Sequence, residues 1–345
     1  MKAKITNIYA KDRTYLYTKV PLDTPYSVNI EPTTYCNIKC KYCIQSLPQD
    51  ELAANSFSYG YMSDETFELC LEQLAQFPNR IKSVTFGGLG EPTLHKKLPE
   101  MINRVRDKNI TSRINLITNA IRINRSLALE LIGAGLTNMK ISLQGLTADK
   151  CKEICGVAID TTKLKENLEF LYHHKKDCII GVKIPDIALS HADEKVFYDH
   201  YGNICDLIGI EHIVPCFQEV DYSSVAHLSG HTSRYGLAEK KITVCPQLFY
   251  RLNIMQNGDV TLCTMRGLAA DGMNIHKMCL TDIWNSEART DMLKKNLLRN
   301  NTGALELCKN CNVKYDFSYQ EDNLDPYAHE IYMKICANHG EVNEK

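Results

Sequence analysis

At 345 residues and 44% hydrophobic composition the chain can bury a sizeable core, which excludes disorder as its main state. Its 40 basic and 41 acidic residues nearly cancel, which removes the cationic excess that bulk nucleic-acid binding requires. Charges interrupt the apolar residues of the amino-terminal stretch, and no later apolar run reaches the roughly 18 residues of a membrane span. The expectation is a cytoplasmic protein without nucleic-acid or membrane partners, in which fifteen cysteines read as metal ligands rather than disulfides.

An amino-terminal segment (1–25) precedes the first predicted strand, YSVNIEPT (26–33). Cys36, Cys40 and Cys43 follow at C-x3-C-x2-C spacing. Three thiolates on a 4Fe-4S cluster leave one iron open for a ligand, whereas a closed site takes four. The polar insertion from Leu47 to Met62 reads as a lid or mobile loop. Ser63 is the expected N-cap of a helix over 64–77, which leads to a strand at 83–88 and then to GGLGEPTL (87–94). Glycines at a strand end let backbone approach a ligand closely, and Glu91 can accept a hydrogen bond from an ammonium group.

Helices over 96–109, 126–135, 161–175 and 193–201 alternate with strands over 112–119, 138–145, 178–185 and 207–215. Six βα units predict a partial (β/α)6 TIM-like barrel over 26–230, working at the carboxyl ends of its strands. Asn119, Ser142 and Gln144 stand at such ends, and Cys216 directly follows the last strand.

Composition changes at about residue 231, where a linker opens a second unit (231–345). Arg234, Tyr235, His227 and His231 lie in or near it, placed to close over the barrel mouth. Asn257-Gly258 predicts a tight β-hairpin, with Cys245 and Cys263 on its two flanks. Thr281 is the expected cap of a helix over 280–298, Trp284 a packing anchor, and Cys308 and Cys311 a C-x2-C pair. Cys245, Cys263, Cys308 and Cys311 make a closed set, sufficient for a full cluster or a zinc ion.

The triple CNIKCKYC followed by GGLGEPTL resembles the radical S-adenosylmethionine superfamily. That resemblance implies that Cys36, Cys40 and Cys43 hold a 4Fe-4S cluster whose open iron is chelated by the methionine part of the cofactor. It further implies cofactor contacts from Tyr42 beside the adenine, from Gly87, Gly88, Gly90 and Glu91 at the amino group, and from Asn119, Ser142 and Gln144. Many relatives carry Asp where Gln144 stands. Cys245, Gly258 and Cys263, with DIWNSEARTDML after them, resemble the SPASM extension and its shortened twitch form. A second 4Fe-4S cluster on Cys245, Cys263, Cys308 and Cys311 is implied, because the residues after Cys311 offer no cysteine until Cys336.

The whole is similar to the dehydrogenases that oxidise 2-deoxy-scyllo-inosamine. It implies S-adenosylmethionine cleavage, hydrogen abstraction from a small polar or sugar-like substrate, and two-electron oxidation, with a flavodoxin or ferredoxin as reductant. The alternatives are epimerisation with Cys216 as hydrogen-atom donor, and maturation of a peptide or protein. Outside enzymology they are an iron-sulfur electron carrier and a zinc-stapled binding protein.

Overall fold

The structure is a computed structural model that describes residues 1–6, 13–55, 57–225, 233–238, 242–263, 273–298, 308, 311, 313–316 and 319–338. His227 and His231 lie outside the described residues.

Nine strands form one sheet: β1 (Lys4–Ile5), β2 (Ser27–Ile30), β3 (Ser83–Phe86), β4 (Ile114–Thr118), β5 (Asn138–Ser142), β6 (Ile179–Pro185), β7 (Leu207–Glu211), β8 (Arg251–Ile254) and β9 (Val260–Thr261). Their spatial order is β1-β7-β6-β5-β4-β3-β2-β8-β9. The six strands β2 to β7 pair in parallel, in chain order, as an incomplete barrel. Each lies where its run of apolar and β-branched residues predicts it, with ends trimmed by one to four residues.

Between the strands come α1 (Gln49–Ala54), α2 (Asp64–Leu74), α3 (Leu98–Asp107), α4 (Arg125–Ala134), α5 (Ala148–Cys155), α6 (Thr161–His174) and α7 (His191–Tyr201). Ser63 caps α2 as expected, its side chain accepting from Thr66 N. One face of the strands packs on these helices through Val28, Ile30, Phe86, Leu116, Ile141 and Val182, all fully buried. The opposite face is polar: Asn29 donates to Gly87 O (3.1 Å) and Asn115 to Thr85 Oγ1 (3.0 Å). A closed TIM barrel fills its interior with branched apolar side chains. This one is built as a polar chamber instead.

The insertion at 47–62, expected as a lid or mobile loop, is anchored at its apolar residues. It contains α1, and Leu52 and Phe57 are buried against Ile44 and Leu89, so apolar burial fastens it to the cysteine loop.

The carboxyl-terminal unit adds α8 (Gln247–Tyr250), α9 (Leu280–Trp284), α10 (Glu287–Leu297), α11 (Val313–Asp316) and α12 (Ala328–Asn338). The hairpin turns at Asn257-Gly258 and pairs β8 with β9 antiparallel. β8 also pairs in parallel with β2, in the register Ser27↔Arg251 to Ile30↔Ile254, so the unit continues the barrel sheet. Thr281 is not a cap: α9 starts at Leu280, and a break at Asn285 lets Ser286 cap α10 by accepting from Arg289 N. Trp284 is the anchor predicted. It is fully buried, donates to Leu22 O (2.8 Å), meets Phe77 edge-on and carries the Arg289 guanidinium 3.5 Å above its ring. No helix among the described residues is long and apolar enough to cross a membrane.

Trp284→Ala empties a site with a fully buried indole, and denaturant unfolding is expected to show a loss of about 3–5 kcal/mol.

Candidate active site

The loop bearing Cys36, Cys40 and Cys43 leaves the carboxyl end of β2, and three neighbours hold its backbone. The amides of Lys39 and Lys41 donate to the carbonyls of Cys155 (2.9 Å) and Ile154 (3.0 Å), the last residues of α5. A helix end leaves carbonyls without intrahelical partners, so the loop is tied down by groups that need donors. On the other side Gln45, 3% exposed, donates to Thr34 O (2.8 Å) and Leu89 O (2.7 Å), joining the cysteine loop to the glycine-rich loop. Thr33 and Thr34 donate to Gly60 O and Ser58 O at 2.7 and 2.8 Å, which fastens the insertion to the same loop.

The glycine-rich loop sits close enough to exclude side chains. A Cβ on Gly90 would stand 2.2 Å from Thr33 O and 2.7 Å from Tyr35 O. Gly88 has φ +136°, and a Cβ there would meet the Glu31 carboxyl carbon at 2.2 Å. Gly87 donates to Ile30 O (3.2 Å).

Glu91 is buried, and its carboxylate is already engaged. Oε1 accepts from Thr93 N (3.0 Å), Thr93 Oγ1 (2.6 Å) and Thr118 Oγ1 (2.6 Å), and Oε2 from Asn119 N (2.7 Å). Burial still pushes its pKa up despite these donors. The expected meeting with a cofactor amino group thus falls on a carboxylate that braces the ends of β3 and β4. Asn119 donates to Asn37 Oδ1 (2.8 Å), inside the cysteine loop. Tyr42 donates to Gln144 Oε1 (2.6 Å), and the Cys40 thiol lies 3.4 Å from that oxygen. Ser142 ends β5, its carbonyl accepting from Gln144 Nε2 (3.3 Å).

The three thiols form no disulfide; Cys40 is buried and Cys36 and Cys43 are half-buried. Burial pushes Cys36 up to about 12 and raises Cys40 and Cys43. As thiolates Cys36 and Cys40 would each be repelled by Cys43. Such a set suits a cationic centre that deprotonates its ligands. In the carboxyl-terminal unit burial, Cys263, Cys311 and Cys308 raise the Cys245 thiol. Among the described residues no three His, Cys, Asp or Glu side chains converge as the ligands of one ion.

Asn296 clasps the Cys245 peptide, accepting from its amide (3.0 Å) and donating to its carbonyl (2.9 Å). Asp325 accepts from Thr243 N and Val244 N, both at 2.8 Å. Neither residue carries a motif, and neither does Gln45, so sequence reasoning missed all three.

Cys216 is half-buried past β7, its thiol donating to Val214 O (3.2 Å). Arg234, from the linker, reaches the same mouth and pairs with Glu211 (2.8 Å). Glu31, at the end of β2, accepts from Leu89 N (3.1 Å), and burial pushes its pKa up to about 7.

Known proteins resemble parts of this chain. Residues 30–194 match the radical SAM superfamily, and residues 245–312 match the SPASM iron-sulfur cluster-binding domain. The chain thus carries a radical SAM domain followed by a SPASM domain. Those two domain families imply 4Fe-4S cluster and S-adenosylmethionine binding.

The PqqA peptide cyclase of Xanthomonas campestris pv. campestris (strain 8004) is 25% identical over 296 residues, 76% of this chain and 73% of its own. That of Bradyrhizobium diazoefficiens is 30% identical over 132 residues, which are 38% of this chain and 32% of that relative. Two solved structures share the fold: BtrN in complex with AdoMet and 2-DOIA (TM-score 0.52, 16% identity, 83% of this chain and 92% of that one), and Streptococcus suis SuiB bound to S-adenosylmethionine (TM-score 0.57, 16% identity, 89% and 76%).

Two outcomes test the site. Gly90→Ala pushes the cysteine loop from its seat and is expected to lower iron bound after anaerobic reconstitution; iron equal to wild type would show that the close approach is dispensable. Glu31 titrates near its ordinary 4.5 in the unfolded chain and near 7 when folded, so folding takes up a proton between these values and stability falls as pH rises through them. Glu31→Gln should therefore gain up to about 3 kcal/mol over wild type at pH 8 and nothing at pH 4, measured by denaturant unfolding.

Proposed function

We propose that this radical SAM protein oxidises a small polar substrate by two electrons, the first cluster on Cys36, Cys40 and Cys43 and a second on Cys245, Cys263, Cys308 and Cys311. When bound, the first cluster supplies the electron that cleaves S-adenosylmethionine to methionine and a 5′-deoxyadenosyl radical, and the second accepts an electron from substrate. Hydrogen-atom abstraction yields 5′-deoxyadenosine. Loss of one electron and one proton from the substrate radical completes the oxidation.

The observation that carries this reading is the seat of the three-cysteine loop. It rests on the glycine-rich loop at the carboxyl ends of the strands, over a chamber whose inner face is polar. Tyr42, Asn119, Ser142 and Gln144 flank that loop and are assigned to orienting the cofactor, with Gly87, Gly88, Gly90 and Glu91 shaping its methionine end. Glu91 acts through the loop it braces, since its oxygens are occupied by Thr93, Thr118 and Asn119. A full set of four protein thiolates leaves no open iron on the second cluster, which favours electron transfer over substrate chelation. A flavodoxin or ferredoxin is the expected reductant.

Peptide cyclisation is the second reading, favoured by the PqqA peptide cyclases among the relatives. Joining two carbons with loss of two hydrogens is also a two-electron oxidation, so both readings use the second cluster alike. They differ in what enters the chamber.

Cys36→Ala, Cys40→Ala and Cys43→Ala are each expected to abolish 5′-deoxyadenosine formation. Cys308→Ala/Cys311→Ala should release 5′-deoxyadenosine without a product lighter by two hydrogens; a full yield of that product without the second cluster would sink the electron-acceptor role. Cys216→Ala should keep turnover, whereas its failure together with solvent deuterium at carbon in wild-type product would establish epimerisation instead.

A further inference from the structure

Three tyrosine rings gather at the root of the loop that carries Cys36, Cys40 and Cys43. Tyr35 directly precedes Cys36, and the insertion brings Tyr59 and Tyr61 against it. The Tyr35 ring stacks 5.2 Å from that of Tyr59 and lies 5.0 Å from that of Tyr61. Tyr61 in turn meets the His95 ring edge-on at 5.9 Å. Two of the three rings open to water, Tyr35 being 40% and Tyr61 52% exposed. Aromatic side chains left together at a surface mark a place where a partner sits.

The backbone beneath the rings is fixed. Thr33 forms an antiparallel bridge with Tyr61, Thr34 N donates to Gly60 O (3.1 Å), Met62 N donates to Pro32 O (2.8 Å), and His95 Nε2 donates to Met62 O (3.0 Å). Ring area that is already ordered loses little entropy on docking. The inner ring reaches the ligand loop itself. Tyr59 donates to Gln45 Oε1 (3.3 Å), two residues from Cys43, and its hydroxyl lies within the field of Cys36 and Cys43.

The loops around these rings carry one sign of charge. Residues 33–46, 92–97 and 119–124, at the carboxyl ends of β2, β3 and β4, contain Lys39, Lys41, Lys96, Lys97 and Arg122 and no Asp or Glu. All five cations are exposed. The loops are joined to one another: Lys96 and Lys97 follow His95, which touches Tyr61, and Asn119 donates to Asn37 Oδ1 (2.8 Å). Carboxylates come from the flanking helices. Asp64 of α2 pairs with Lys97, Glu153 of α5 pairs with Lys150 (2.8 Å) and also feels Lys41, and Asp50 and Glu51 stand at the start of α1. Among the described residues Lys39, Lys96 and Arg122 have no ion-pair partner.

We propose that this surface docks the reductant, an acidic protein that donates one electron, with Tyr35 and Tyr61 as its aromatic centre and Lys39, Lys96 and Arg122 as its positive rim. This rests on the reading above that a cluster on Cys36, Cys40 and Cys43 is supplied with an electron from outside. Cys36 and Cys43 are half-buried, so the ligand loop lies close under the surface. In the step the carrier is oxidised by one electron and the cluster is reduced by one; no bond is made or broken and no proton moves. Redox encounters bury little area, and a few ordered rings inside opposite charge suit a complex that forms and parts at every turnover. Charge favours this occupant over a second copy of the chain, whose isologous pairing here would set the same cations against one another.

The test mixes the full, anaerobically reconstituted chain with fully reduced flavodoxin and, separately, with dithionite, following cluster absorbance by stopped flow and 5′-deoxyadenosine on the same samples. Flavodoxin is expected to reduce wild type at a rate that falls as salt rises. Tyr35→Ser/Tyr61→Ser and Lys96→Glu/Arg122→Glu should each slow that reduction, and 5′-deoxyadenosine formation with it, about tenfold at low salt. The charge variant should also lose most of the salt dependence, while dithionite reduces both variants as it does wild type. Lys163→Glu, exposed on α6, should change neither rate. If flavodoxin fails on wild type where dithionite succeeds, or reduces both variants at the wild-type rate, the proposal is overturned. A wild-type dimer that the tyrosine variant splits in sedimentation would then give the surface to a second copy. Reduction by flavodoxin without any 5′-deoxyadenosine would instead uphold this surface and overturn the radical reading.

Discussion

The buried carboxylate of Glu91 is the constraint on which the site depends. It gathers hydrogen bonds from Thr93, Thr118 and the Asn119 amide, while its own amide donates to Tyr35 O (2.8 Å) in the cysteine loop. Two strand ends and one ligand-bearing loop therefore meet at a side chain that has no water to fall back on. Leaving any of those donors or acceptors unmade inside the protein costs more than the bond contributes when made. The three thiols are held in place by this satisfied polar network together with their packing on the core, of which Cys40 is a member.

Around that point the fold trades apolar filling for function. A sheet with one apolar face gains its stability from the helices outside, which leaves the inner face free to be polar. The carboxyl-terminal unit is part of the same device. By pairing β8 with β2 it extends the sheet beside the strand that feeds the cysteine loop, and the main-chain bond from Glu31 N to Ile254 O (2.9 Å) links the two at the chamber rim. The thiols of Cys245 and its partners are thereby tied to the barrel by main-chain hydrogen bonds and by the Trp284 anchor.

Much of this was legible in the chain. Parallel strands buried on one face read as short apolar runs, and the helices between them keep a 3.6-residue period, so both are local signals. Cysteine spacing is local too, and it led to the correct family. The apolar anchoring of the Leu47–Met62 segment was not legible, because Leu52 and Phe57 find an apolar partner only once Ile44 and Leu89 are folded beside them. Thr281 failed as a cap because the chain breaks at Asn285 and Ser286 offers a better-placed hydroxyl.

Residue type and spacing by themselves determined the alternation of strand and helix, the three-thiol set and the hairpin, because each depends on neighbours within a few positions. Only the tertiary structure decided that Glu91 is a brace and that Gln45 and Asn296 clasp the ligand loops. Those contacts join residues from about 30 to 50 positions apart, and no local pattern encodes a hydrogen bond across such a span.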